Sequence, residues 1–253
     1  MFQPRFLLII TMILLLSFKN QEPEQITIAA ASDLKFALDS IITGFKKTQP
    51  LAIINVTYGS SGKLYEQILN DAPFDLYFSA DITYPRSLKE KGLAISEMNT
   101  YGIGKIVLWS KKLDPSKDKM NSLLDPSVQK ISIANPAHAP YGKAAEQSLK
   151  YYKVYDQVKD KLVNGENIAQ AAQFITSGAA DIGVIALSLA LSPTMQTEGR
   201  EYYLIPDESY SKLEQAFVIL KHADGNKLAK TFSDYITSTP AKEVLKSYGF
   251  TTK

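Results

Sequence analysis

The chain has 253 residues, 28 Lys+Arg against 26 Asp+Glu, and no cysteine. Disulfides, thiol nucleophiles and cysteine metal sites are excluded together, and the charge balance lacks the basic excess or stripe of a nucleic-acid binder. The length suffices for one large core or two modest ones.

At the N-terminus, Arg5 precedes an apolar run, Phe6–Phe18, of 13 residues. The run fits a secretory h-region and falls short of the roughly 20 residues a membrane-spanning helix needs. No cysteine follows it, so a lipoprotein anchor is excluded. The alternative is an uncleaved N-terminal anchor, since no clean small-x-small pair precedes Lys19. The expectation is a signal peptide over residues 1–22 and an exported, periplasmic remainder. Removing the first 20 residues takes away Arg5 and Lys19 and no acid, leaving 26 Lys+Arg against 26 Asp+Glu.

Beyond the leader, strand-like runs fall at Ile26–Ala31, Ile53–Tyr58, Leu76–Ser79, Ile106–Trp109, Ile131–Ala134, Ile182–Leu187 and Ala216–Leu220. Several are apolar on both faces, the pattern of a parallel sheet covered on both sides. Helical stripes alternate with them: Leu34, Leu38, Ile41, Ile42 and Phe45, then Ile168, Ala171, Ala172 and Ile175. Leu228, Phe232, Tyr235 and Ile236 form a third, followed by Val244, Leu245 and Tyr248. The alternation predicts an α/β fold with mostly parallel strands. The polar stretches within Tyr101–Lys119 and Ser192–Glu208 are the expected neighbourhoods of domain crossings.

Five places bring small or polar residues to a strand-to-helix junction. They are Ala29–Asp33, Gly59–Gly62, Ser79–Asp81, Ala139–Gly142 and Gly165–Ile168. The first turn of a helix has unpaired N–H groups and a partial positive charge, so it attracts anions. Ligands of open α/β sheets sit beyond the carboxyl ends of the strands. Ser32 and Ser61 add hydroxyl donors, and Gly59 and Gly62 permit close backbone approach. Taken singly, each junction reads as a plain helix cap; together they suggest an anion cradle. Neutral donors suffice for one. A hydrogen bond to a charged group contributes roughly 1.5–3 kcal/mol, and six exceed the roughly 8 kcal/mol of a micromolar complex before association costs.

The ordered segments AAASDL, GSSGKLYEQI, APFDLYFSAD, YGIGKIVLWS, IANPAHAPYG and GENIAQAAQFITSGAADIG resemble the periplasmic molybdate-binding proteins, from about Ile26 to Tyr248–Phe250. The resemblance implies a two-lobed type II periplasmic-binding-protein fold, each lobe a mostly parallel sheet flanked by helices, with an oxyanion held between lobes. The expected division is lobe 1 over 23–104 and 216–253, and lobe 2 over 105–215. Carried over by position, Ser32 and Ser61 would give hydroxyl and amide donors and Ala80 a backbone contact, all from the first lobe. Tyr141 and Ile168 would give backbone N–H groups from the second. Two departures stand out: Ala186 occupies a position where some relatives place a ligand-contacting tyrosine, and Asp33 stands where others carry Leu or Asn.

Asp33 has two readings. It turns away to satisfy helix N–H groups, or it points inward and accepts a proton from a guest such as phosphate. Of the two histidines, His138 precedes Tyr141 and is read as a loop residue. No Ser–His–Asp arrangement, paired-histidine motif, Walker loop or GxGxxG is evident. The expectation is a monomeric, non-enzymatic capture protein for molybdate and tungstate that serves the membrane permease of an ABC importer. It would use no cofactor, no metal-ligating side chain and no nucleic acid. The alternatives are a sulfate- or phosphate-type binder on the same fold, or a hydrolase or transferase with an interlobe site.

Overall fold

A computed structural model describes residues 24–198 and 201–252; the expected signal peptide, 1–22, lies outside the described residues. Within them, no helix is long and apolar enough to cross a membrane.

Apolar runs and turn residues assemble two five-stranded sheets. In chain order, β1 is Gln25–Ala31, β2 Ile53–Gly59, β3 Leu76–Ser79 and β4 Asn99–Gly104. A single residue, Lys105, separates β4 from β5 (Ile106–Trp109), which already belongs to the second sheet. That sheet continues with β6 (Ile131–Ala134), β7 (Leu162–Gly165), β8 (Ile182–Ala186) and β9 (Tyr203–Leu204). The chain then returns as β10 (Leu213–Ile219) to the first sheet.

The strand orders are β2-β1-β3-β10-β4 and β7-β6-β8-β5-β9. In each sheet the fourth strand of that order alone runs against the others. The mostly parallel α/β expectation therefore holds in both. Three strands escaped the sequence reading. β4 carries two glycines, β7 is only half apolar, and β9 has two residues. β10 begins at Leu213, so it spans the position 215/216 where the sequence reading changes lobes.

Among the described residues, seven helices have eight or more residues: α1 Lys35–Phe45, α2 Ser61–Leu69, α3 Thr83–Glu90, α4 Pro140–Tyr151, α5 Ile168–Thr176, α6 Lys227–Ile236 and α7 Thr239–Ser247. The helical stripes bury as their spacing requires. Leu38, Ile41 and Phe45 of α1 pack with Leu228, Phe232 and Ile236 of α6 on one face of the first sheet. Phe45 meets Phe232 edge-on at 5.1 Å, and Phe78 stacks on Phe217 at 4.8 Å. The other face is closed by Leu64 and Ile68 of α2 and Leu88 of α3 over Ala29, Tyr77 and Val218. The second sheet has one continuous core, which includes Ile168, Ala171 and Ile175 of α5. Truncating a buried aromatic such as Phe232 to alanine costs roughly 3–5 kcal/mol in cores of this kind.

Candidate functional site

At the sheets' carboxyl ends, five strands stop on small residues and five chain segments turn inward. β1 passes through a 3-10 turn, Ser32–Leu34, into α1. β2 ends at Gly59, and α2 starts at Ser61. β3 ends beside Ala80. α4 opens with Pro140 in its first turn, where a missing N–H costs nothing. α5 is capped by Asn167, whose side chain accepts from Gln170 N at 3.0 Å.

Ser32, Ser61, Ala80, Tyr141 and Ile168 all border one cavity, with Ala31, Asp33, Gly59, Ser60, Ala139 and Pro140 completing the lining. No Lys, Arg or His is among them. The cavity is small, about 10 Å³, far below the roughly 300–1,000 Å³ of pockets for drug-sized ligands.

The donors differ in their state. Ser61 Oγ accepts from the Ala80 amide at 3.0 Å, so its own hydrogen is left for the cavity. The Ala80 amide thereby fixes the orientation of this hydroxyl. Tyr77 OH donates to the Ser61 carbonyl at 2.7 Å and steadies the same turn. Ser32 Oγ spans the cleft, donating to Asn167 Oδ1 at 3.0 Å and accepting from Ala169 N at 3.2 Å. Tyr141 and Ile168 lie in first helical turns, whose amides lack intrahelical partners.

Asp33 fits neither sequence reading alone. Its side chain is 1% exposed. Oδ2 accepts from Tyr141 OH at 3.0 Å and Gln215 Nε2 at 2.9 Å, while buried Oδ1 has no hydrogen-bond partner. Burial pushes the carboxyl up to about 6, against the pull of Gln215, Tyr141 and the nearby amides of Asp33 and Leu34. Gln215 Nε2 also donates to Tyr141 OH at 2.9 Å, and its Oε1 accepts from Tyr101 OH at 2.7 Å. Tyr141 thus supplies more than backbone: its hydroxyl ties the second lobe to an acid of the first.

Gln215 and Tyr101 were missed in the sequence. The signal available was a lone glutamine entering an apolar run, LEQAFVI. The structure explains its burial by a register shift between Gln215 and Ala216, a bulge of the kind that re-aims a side chain. Gly104 makes room, since a Cβ there would lie 2.2 Å from Tyr141 Oη and 2.5 Å from Gln215 Nε2.

The two walls touch along a seam. Gly62 N donates to the His138 carbonyl at 3.0 Å, and Ser60 Oγ meets His138 Nδ1 at 2.8 Å. His138 is thus a loop residue with a partner, outside the cavity lining. Lys63 pairs with Glu166 at the rim. Ser188, two residues past the buried Ala186, donates to the Asp33 carbonyl at 2.7 Å. No group of three or more His, Cys, Asp or Glu suited to a metal ion occurs among the described residues.

Comparison with known proteins bears on the family and the fold. The family model described as bacterial extracellular solute-binding protein matches residues 26–251. The molybdate-binding protein ModA of Azotobacter vinelandii is 36% identical over 227 residues, covering 89% of each chain. That of Rhodobacter capsulatus is 34% identical over 202 residues, covering 79% of this chain and 78% of its own. The solved Azotobacter vinelandii periplasmic molybdate-binding protein superposes with a TM-score of 0.84 at 29% identity, covering 90% of this chain and 99% of its own.

Proposed function

The chain belongs to the family of bacterial extracellular solute-binding proteins, and from that premise we propose that it captures molybdate, and tungstate with it, in the cavity between its two sheets. One observation carries the reading. Residues from both lobes meet at a small cavity lined by hydroxyls and helix-start amides, with no cationic side chain. A fully deprotonated, four-oxygen anion is the guest such a donor set suits. The Ser61 hydroxyl hydrogen and the amide hydrogens of Ser32, Ser61, Tyr141 and Ile168 would surround it, with Ala80 holding Ser61 in place and the Ser32 hydroxyl tied to Asn167.

The relatives named for molybdate support this cargo. Sulfate has the same charge and shape, so size is the remaining criterion between them. The protein would act as an exported monomer that closes on its guest and presents it to the permease of an ABC importer. It would make and break no bond and hold no cofactor.

A thermal-shift panel tests this. Molybdate and tungstate at micromolar levels should raise the melting temperature by mass action, with sulfate and phosphate much weaker. A larger shift with sulfate or phosphate would reassign the cargo. Turnover of an ester or anhydride by the anion-bound protein would move the reading to an enzyme.

A further inference from the structure

We propose that Asp33 serves this site as a neutral acid that donates from Oδ1 to an oxygen of the bound anion, so that oxyanion capture takes up one proton from solvent. The proposal rests on the oxyanion reading above and deepens it. It makes Asp33 a ligand-contacting, specificity-determining residue of the cavity.

Geometry carries it. Asp33 borders the cavity and is buried there. Its two oxygens are unequal: Oδ2 receives the Tyr141 hydroxyl and the Gln215 amide, whereas Oδ1 completes no hydrogen bond, the Asp33 and Leu34 amides lying near the carboxyl without closing one on it. An ionised carboxylate in a dry site wants donors on both oxygens. A protonated one needs them only on the carbonyl oxygen, and its O–H needs an acceptor. With no protein acceptor at Oδ1, a proton there would find one in an anion bound in the cavity that Asp33 lines. Burial already holds the carboxyl up at about 6, and a dianion beside it would raise it further.

Among the described residues, no charge packed against the Asp33 turn opposes this. The turn bearing Asp33 packs against α1, α5 and the Leu187–Ala190 turn. Lys35 of α1 is directed to Asp39 at 3.6 Å on the exposed side. Neither α5 nor Leu187–Ala190 contains a titratable residue. Tyr141 of α4 and Tyr101 of β4 are phenols pushed well up by burial, so both stay neutral. β10 presents the neutral Gln215 amide, with Glu214 beside it in the strand.

The linkage has a definite sign. Below about pH 6 the free protein already carries the proton, and binding needs none. Above it, each anion bound brings a proton in, so the dissociation constant rises about tenfold per pH unit. A neutral Asp33 also leaves the cavity a set of donors only, which disfavours hydrogen phosphate, whose own O–H lacks an acceptor there.

Calorimetric titration of the mature protein with sodium molybdate, in two buffers of different ionisation enthalpy, counts the protons. We expect an uptake approaching one per anion at about pH 8 and falling towards zero at about pH 5. In Asp33→Asn, whose amide NH2 replaces the acid O–H as a donor, the affinity should be flat with pH and tighter than wild type at about pH 8. The variant scan also subtracts any proton the anion itself exchanges. Molybdate binding without proton uptake in the wild-type protein overturns the proposal and leaves the oxyanion reading intact. So does tight hydrogen phosphate binding that Asp33→Asn abolishes, since Asp33 would then be an acceptor. If no oxyanion binds at any pH, the reading beneath the proposal fails with it.

Discussion

The two walls of the cavity are built on different chemistry. The first-sheet wall presents side chains: the hydroxyls of Ser32 and Ser61 and the Asp33 carboxyl. The second-sheet wall presents main chain at the starts of α4 and α5, while its side chains serve elsewhere. Tyr141 reaches across to Asp33, and Ile168 packs into the core. Side-chain substitutions therefore probe one wall, and only changes that remove an amide or move the backbone probe the other.

The largest expected effect lies at the seam between the walls. A Cβ at Gly62 would sit 2.6 Å from the His138 carbonyl oxygen, and that backbone oxygen cannot yield without parting the lobes. Gly62→Ala should weaken molybdate binding by about 3 kcal/mol, the upper end for overpacking, while leaving the fold near wild-type stability in calorimetry. A full-strength complex would show that the seam is slack.

Asp33→Asn comes next, read on the anion-free protein. A carboxyl raised from 3.8 to about 6 stabilises the fold fully below pH 3.8 and loses that contribution as pH rises through about 6. Wild type should thus lose on the order of 2–3 kcal/mol between about pH 4 and 7 through this group, and the variant should not. Urea melts across that window measure the difference.

Ser61→Ala and Ile168→Pro then set wall against wall. Ser61→Ala removes a hydroxyl and strands the Ala80 amide, weakening binding by about 1–3 kcal/mol. Ile168→Pro removes one amide at the first helical position, where proline is tolerated. Asn167 before it is already extended, with φ −149° and ψ 176°, as a residue preceding proline must be. A similar loss for both would equate the walls; an unaffected Ile168→Pro would take its amide out of the site. The smallest effect belongs to the rim. Lys63 and Glu166 are half-exposed, so Lys63→Ala should cost under about 1 kcal/mol and fade with salt.

Legibility followed the same division. The cores could be read because burial imposes period: Leu38, Ile41 and Phe45, or Ala171, Ala172 and Ile175, recur at helical spacing and are all buried. Ser32, Ser61, Ala80, Tyr141 and Ile168 could be read from the family resemblance of an ordered set of motifs, since each strand-to-helix junction alone reads as a plain cap; the structure places all five on one cavity. β4 could not, since its NTYGIG is held by pairing with β10 rather than by its own apolar content. The Asp33–Gln215 contact joins residues 182 apart, and no local pattern announces it. The role of the Tyr141 hydroxyl was hidden for the same reason.

The return of β10 has a consequence for the order of assembly. The second sheet is one uninterrupted stretch, from Ile106 to Leu204, and every partner it needs lies inside it. The first sheet must wait, because β10 is inserted between β3 and β4 and nearly every residue precedes it in synthesis. Strand β4 therefore goes without its lateral partner until the chain is almost finished. The lobe that starts first closes last, and pulsed hydrogen exchange during refolding should find β5, β6 and β8 protected before β4.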